Sequence, residues 1–198
     1  MIERVSADIV SWLQKEGSVT ESEIELYRYA AYSLIWGLLP FAIVALWGII
    51  FDALWESILL ILPFMLIRKF SGGYHLSKPG ICFVASSMLL GITVWGIKTI
   101  NTTVVATELT IAVILAVICI CIFSPVDSDA RRLTAKEIRV FGNAARAIAI
   151  IMLIVYIIFV SIGRNTIAIP IGVGIILPAG LQLPALIRKP FTKTQKET

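Results

Sequence analysis

The sequence predicts an all-α protein that crosses a membrane about six times and carries an amphipathic helix at its start. Of its 198 residues, 58% are hydrophobic and 15% are charged, whereas an ordinary soluble domain has roughly 45–50% apolar and about 25% charged residues. The apolar residues are gathered into blocks close to the roughly 20 positions that a helix needs to cross hydrocarbon. This composition excludes a soluble globular domain, a disordered chain, a collagen-like chain and a disulfide-rich scaffold.

Residues 1–28 precede the first apolar block and are expected to form a cytoplasmic amphipathic region. Polar and charged residues separate apolar residues at helical spacing, namely Ile2, Val5, Ile9, Trp12 and Leu13. Such a helix lies on a membrane surface rather than crossing it. We expect no secretory signal, because the stretch lacks an uninterrupted apolar core and a small-residue cleavage site. Capping-box spacings at Ser18–Glu21 and Ser22–Glu25 predict a first membrane helix from about Tyr29.

Residues 29–187 are expected to form a single transmembrane domain, followed by a basic cytoplasmic tail at 188–198. Its six apolar segments are about Tyr29 to Phe51, Ala53 to Ile67, Ile81 to Ile97, Val104 to Phe123, Phe141 to Ile162, and Thr166 to Ile187. The second segment would cover only about 22 Å of a roughly 30 Å hydrocarbon core, so it could extend past Arg68. Prolines and glycines in the sixth predict a kinked helix that packs closely against its neighbours.

The positive charges predict the orientation of these segments. With six spans, both termini and the loops after the second and fourth spans share one side of the membrane. All of the 17 lysines and arginines except Lys98 and Arg164 then fall on that side, which the positive-inside rule identifies as the cytoplasm. The net charge of +4 is therefore explained by orientation, and we expect no nucleic-acid partner.

The cytoplasmic loop 68–82 contains the candidate chemistry. It holds the sole histidine, His75, and ends at Cys82, so a thiol nucleophile and an imidazole base lie on one side of the membrane. On a continuous helix the two side chains would be about 10 Å apart along the axis. The breakers Gly72-Gly73 and Pro79-Gly80 allow the loop to fold back and shorten that distance. On spacing alone, an incidental histidine and a lipid-facing cysteine remain the alternative.

The sequence also predicts a helix start just before Cys82, because Ser77 followed by Pro79 is typical of one. Cys82 would then lie in the first turns, where unpaired backbone amides and the helix dipole favour a thiolate. Cys119 and Cys121 lie deep in an apolar segment and are expected to be structural. One histidine and scattered cysteines do not form a plausible ligand set, so we expect no metal and no cofactor.

One motif in this loop carries a family resemblance. It comprises Arg68, Gly72-Gly73-Tyr74-His75 and Cys82. With these residues the chain resembles the accessory gene regulator B family of membrane cysteine endopeptidases, and the resemblance includes a later basic loop with Ser124-Pro125-Val126. The spacing of six residues between histidine and cysteine, after two glycines and an arginine, is its specific part.

The resemblance implies residue roles and a substrate. Cys82 and His75 would be catalytic, and Arg68, Gly72 and Gly73 would bind substrate or support the loop. The substrate would be a quorum-sensing precursor peptide of the regulator D type, cleaved before its acidic tail and cyclised to a thiolactone through a Cys82 thioester. The resemblance further implies a homodimer in the bacterial cell membrane.

Other interpretations of the sequence remain beside this one. A small membrane peptide transporter or exporter without catalysis would need polar residues through several spans, and this sequence has very few. A lipid-modifying transferase, suggested by residues 127–131, lacks the acidic pairs and glycines that such a metal-dependent site requires. Arg68 and Lys69 fit ordinary positive-inside anchoring about as well as attraction of an acidic tail.

Overall fold

The computed structural model describes residues 2–73, 79–99, 106–126 and 134–188. Within these ranges the chain forms helices and no strand, so the all-α prediction is confirmed. The α-helices are α1 (Ile2–Lys15), α2 (Ile24–Ile50), α3 (Leu54–Ser71), α4 (Pro79–Thr99), α5 (Ala106–Phe123), α6 (Ala135–Ser161) and α7 (Asn165–Arg188).

The six predicted apolar segments coincide with the six helices α2 to α7. In the described part of the chain, α2, α4, α6 and α7 are long and apolar enough to cross a membrane. In α5 the apolar stretch is shorter, running from Glu108 to Phe123. The helix α3 has 18 residues and carries Glu56, Arg68 and Lys69. The second segment therefore extends past Arg68 and ends at Ser71. Its short apolar length had suggested such an extension.

The chain divides into two compact units, Met1–Ile43 and Val44–Thr198. In the first unit, α1 separates its polar and apolar residues onto two faces, and Trp12 on the apolar face is 60% exposed. An exposed apolar face of this kind is typical of a helix that lies on a membrane surface.

The start of α2 differs from the sequence prediction, since the helix begins at Ile24 and not near Tyr29. The capping interactions that the structure describes lie at Thr20 and Glu23. The Thr20 hydroxyl and backbone N–H both donate to the Glu23 carboxylate, at 2.7 and 3.2 Å. These bonds lower the pKa of Glu23. They also provide hydrogen-bond partners at the start of α2, about one turn before the position that the apolar pattern indicates.

In the second unit, α3 packs most extensively against α7. Small residues permit this close contact, as the sequence predicts: a Cβ added at Gly174 would collide with the backbone carbonyl of Leu60. Gly172 likewise lies directly under the Tyr156 ring, whose hydroxyl pairs with that of Thr110 at 2.9 Å. The apolar outer faces of α4, α5 and α6 remain exposed, which suits contact with lipid.

Candidate active site

The structure places two of the predicted site residues on neighbouring helices. Arg68 lies in the last turn of α3, after the apolar stretch that ends at Ile67. Cys82 lies in the first turns of α4, which begins at Pro79 as predicted, and its thiol is free and partly buried. His75 lies outside the described residues, so its pairing with Cys82 stays a prediction.

Two glycines end α3 and turn the chain. Gly72 has a φ of 69° and Gly73 a φ of 141°, a region that side-chain-bearing residues rarely adopt. Space requires glycine as well: a Cβ on Gly72 would collide with the carbonyl of Val126, and one on Gly73 with the Arg68 guanidinium. The Arg68 Nη1 donates to the Gly72 carbonyl at 3.1 Å. The arginine side chain is therefore held against the turn that follows its own helix.

The Arg68 guanidinium also interacts with Cys82 across the gap between the two helices. This interaction is electrostatic and joins a cationic side chain of α3 to the thiol of α4. The arginine is held by its hydrogen bond to the Gly72 carbonyl. The site thus places a charged side chain, fixed by the turn after α3, within electrostatic range of Cys82.

A buried polar cluster fixes this turn to two other elements. We call it the anchor cluster, and its members are Ser71, Gly72, Ser124, Val126 and Gln182. The Ser71 carbonyl accepts from the Val126 N–H at 2.8 Å and from the Gln182 Nε2 at 3.3 Å. The same Gln182 Nε2 donates to the Ser124 Oγ at 2.9 Å. Gly72 and Val126 form a parallel bridge. The end of α3, the segment after α5, and α7 are therefore joined at one point.

Comparison with known proteins assigns the chain to a family. The family model described as accessory gene regulator B matches residues 6–184. The chain belongs to the accessory gene regulator B family. Two AgrB-like proteins of Clostridium perfringens, from strain 13 and strain SM101, are each 29% identical to it over 92 residues. Each alignment covers 46% of this chain and 41% of the relative. No solved structure matches the chain.

The family resemblance includes Ser124-Pro125-Val126, but the sequence did not indicate where these residues lie. They pack against the glycine turn that precedes the predicted catalytic histidine. Gln182 was missed entirely. The sequence signal for Gln182 is an uncharged amide within an otherwise apolar helix. Polar groups at that depth usually face the protein interior. Its two bonding partners lie far away in the chain and could not be inferred from spacing.

Arg146 and Asn143 lie in α6, where Arg146 bonds both to Asn143 and to the end of α5. The Arg146 Nε donates to the Cys121 carbonyl at 2.9 Å, and its Nη1 donates to the Asn143 Oδ1 at 3.3 Å. In a helix the donor to the Cys121 carbonyl would come from residue 125, which is a proline without an N–H. Arg146 supplies that missing donor.

The remaining predicted groups add nothing to the site. Cys119 and Cys121 pack beside the buried core of the second unit. Lys69 lies over the Phe70 ring, 5.7 Å from its centroid. Among the described residues no group of three histidine, cysteine or acidic side chains could hold a metal. The acidic and basic residues between 127 and 132 lie outside the described ranges.

Proposed function

We propose that this protein is a membrane cysteine endopeptidase that removes the C-terminal tail of a regulator D-type precursor peptide and promotes cyclisation of the product. The observation that carries the proposal is a free, partly buried Cys82 thiol in the first turns of α4, within electrostatic range of an Arg68 guanidinium that the turn after α3 holds in place. Family membership supports it, since the match covers both residues. A free, partly buried thiol with a fixed cation nearby suits a nucleophile better than a structural cysteine does.

The proposed reaction begins when the Cys82 sulfur attacks the carbonyl carbon before the peptide's acidic tail. His75 takes the thiol proton and then gives it to the leaving amine, so the carbon–nitrogen bond breaks and a thioester forms. The first turn of α4 leaves the N–H groups of Gly80 and Ile81 without a partner inside the helix. These N–H groups suit the oxyanion that forms during the attack.

The thioester then passes to the substrate's own cysteine. Attack by that thiol breaks the bond to Cys82, forms a cyclic thiolactone and returns a proton to the Cys82 sulfur. Exchange of one thioester for another keeps the acyl group activated, whereas attack by water would give a linear acid. A site that excludes water therefore favours the ring.

Arg68 has two proposed roles. Its guanidinium interacts electrostatically with Cys82, and it carries a charge opposite to that of the substrate's acidic tail. Gly72 and Gly73 support the loop by permitting the turn that places the arginine. We further propose a cytoplasmic location for both termini and the catalytic loop, and a homodimer in the bacterial cell membrane.

The test is co-expression with a precursor that has an amphipathic leader, an internal cysteine and an acidic tail, followed by mass spectrometry of the peptides. The unchanged protein should release the tail and yield the thiolactone mass. Cys82→Ala and His75→Ala should yield neither product, while Cys119→Ala and Cys121→Ala serve as matched controls and should process normally. Normal processing by Cys82→Ala would refute the proposal.

A further inference from the structure

The side chain of Gln182 is a buried polar group outside the predicted catalytic loop that bonds to two distant segments. It is completely buried within α7, an otherwise largely apolar helix. Its Nε2 makes two of the hydrogen bonds of the anchor cluster, to the Ser71 carbonyl and the Ser124 hydroxyl. Its Oε1 has no hydrogen-bond partner in the described part of the chain. Burying an amide in this way is unfavourable unless its bonds fix something specific.

The bonds of Gln182 lead step by step to the reactive sulfur. Gln182 holds the Ser71 carbonyl, and Ser71 directly precedes Gly72. The Gly72 carbonyl accepts from the Arg68 guanidinium, which packs against Gly73 as well. Arg68, in the last turn of α3, interacts electrostatically with Cys82, in the first turns of α4. A displacement of the Ser71–Gly73 turn would therefore change where the guanidinium sits relative to the sulfur.

We infer that Gln182 is a positioning residue, which acts through the Ser71–Gly73 turn to hold the Arg68 guanidinium in its place at the end of α3. The importance of Gln182 for catalysis rests on the proposed function. Its effect on the charge near Cys82 does not. The role requires a primary amide, because its nitrogen carries two hydrogens and donates to two acceptors at once. Methionine has a similar length and no donor, and asparagine retains the amide but is one methylene shorter.

The test measures the charge near Cys82 and needs no peptide. In a Cys119→Ala, Cys121→Ala background, Cys82 of the purified protein reacts with two methanethiosulfonates, one bearing a sulfonate and one a quaternary ammonium. The ratio of their rates reports the local charge, because exposure and thiol ionisation affect both reagents alike. Arg68→Met should lower the anionic-to-cationic ratio about tenfold, because it removes the positive charge that interacts with Cys82.

Gln182→Met should lower the same ratio at least about threefold, because the guanidinium is no longer held in place. Gln182→Asn should also lower it, by about twofold, and remains informative should the methionine variant fail to fold. Ser57→Ala is the matched control: Ser57 is equally buried in α3, but its hydroxyl donates to the Ala53 carbonyl of the preceding turn at 2.7 Å. Its ratio should equal that of the background protein.

A purely structural glutamine would change thermal stability and leave the ratio unaltered. An unchanged ratio in both Gln182 variants would therefore overturn the inference, and so would an unchanged ratio in Arg68→Met. Failure of the proposed function is distinguished by the peptide assay. If Cys82→Ala still processes the precursor while Gln182→Met lowers the ratio, the endopeptidase proposal is refuted and the positioning role stands.

Discussion

The two ends of α3 bury polar groups in different ways. At its start, the buried Ser57 bonds to a carbonyl one turn away in the chain, and an exposed ion pair joins Lys98 to Asp52 at 3.6 Å. At its end, the Ser71 carbonyl is held by Val126 and by Gln182 of α7. The first end satisfies its buried hydroxyl locally. The second end is defined by segments that are distant in sequence.

The two kinds of bond have different effects, one on the stability of the helix and the other on its position relative to other helices. A local bond such as that of Ser57 keeps a helix intact but does not fix its position relative to other helices. A buried bond between distant segments does fix a position, and losing one partner leaves the other unsatisfied at about 1–3 kcal/mol. The end of α3 that is fixed in this way is the end that carries Arg68 and the Gly72–Gly73 turn.

The largest effect is expected for Gly72→Ala. The new side chain would force a residue with positive φ and would collide with the Val126 carbonyl, so we expect a cost of at least about 2 kcal/mol at the turn. Peptide processing should fall tenfold or more in the co-expression assay. Gly96→Ala is the matched control, because a Cβ there meets nothing within 4 Å. Equal processing by both variants would mean that the turn does not position the site.

A smaller effect on activity is expected for Gly48→Ala, because Gly48 lies in α2 and packs against the start of α3. A Cβ at Gly48 would lie 2.6 Å from the Ser57 Oγ and 2.9 Å from the Leu54 Cα, an overpacking that costs about 1–3 kcal/mol. Thermal unfolding in detergent should therefore occur at a lower temperature. Processing per folded molecule should change less than twofold. Gly96→Ala, with open space at its Cβ, should unfold like the parent protein. A tenfold loss of processing in Gly48→Ala would remove the distinction between the two ends.

The smallest effect is expected for Asp52→Asn. It removes the ion pair between Asp52 and Lys98, whose side chains have relative exposures of 102% and 43% respectively. Exposed ion pairs contribute about 0–1 kcal/mol to stability. Asparagine tolerates the positive φ of 51° at this position as well as aspartate does. We expect unfolding temperature and processing close to those of the parent. A loss as large as that of Gly72→Ala would show that this exposed end also determines function.

The helices and their approximate bounds follow from the sequence because each is an apolar segment with polar ends. The start of α2 was misplaced because several serine, threonine and glutamate residues precede it, and only their bonding reveals that Thr20 caps the helix. The length of α3 was ambiguous for a similar reason, since Arg68 and Lys69 continue the helix beyond its apolar part. Local polar residues thus decide helix ends in ways that hydropathy does not show.

At the site, the sequence indicated the types of residue but not how they are held together. Gly72 and Gly73 could be predicted as a turn from local backbone preference alone. The contact of that turn with Val126, and the bonds from Gln182, depend on how α3, α5 and α7 pack. No spacing rule connects residues so far apart in the chain. The predicted pairing of His75 with Cys82 lies outside the described residues and stays a prediction.

The bond from Arg146 to the Cys121 carbonyl has a consequence for how this bundle tolerates Pro125. A ring nitrogen without hydrogen leaves the last turn of α5 one donor short. The guanidinium of the adjacent helix compensates for that deficit from outside. Proline and arginine therefore form a complementary pair: the first lets the chain leave α5 toward the glycine turn, and the second makes that departure energetically tolerable.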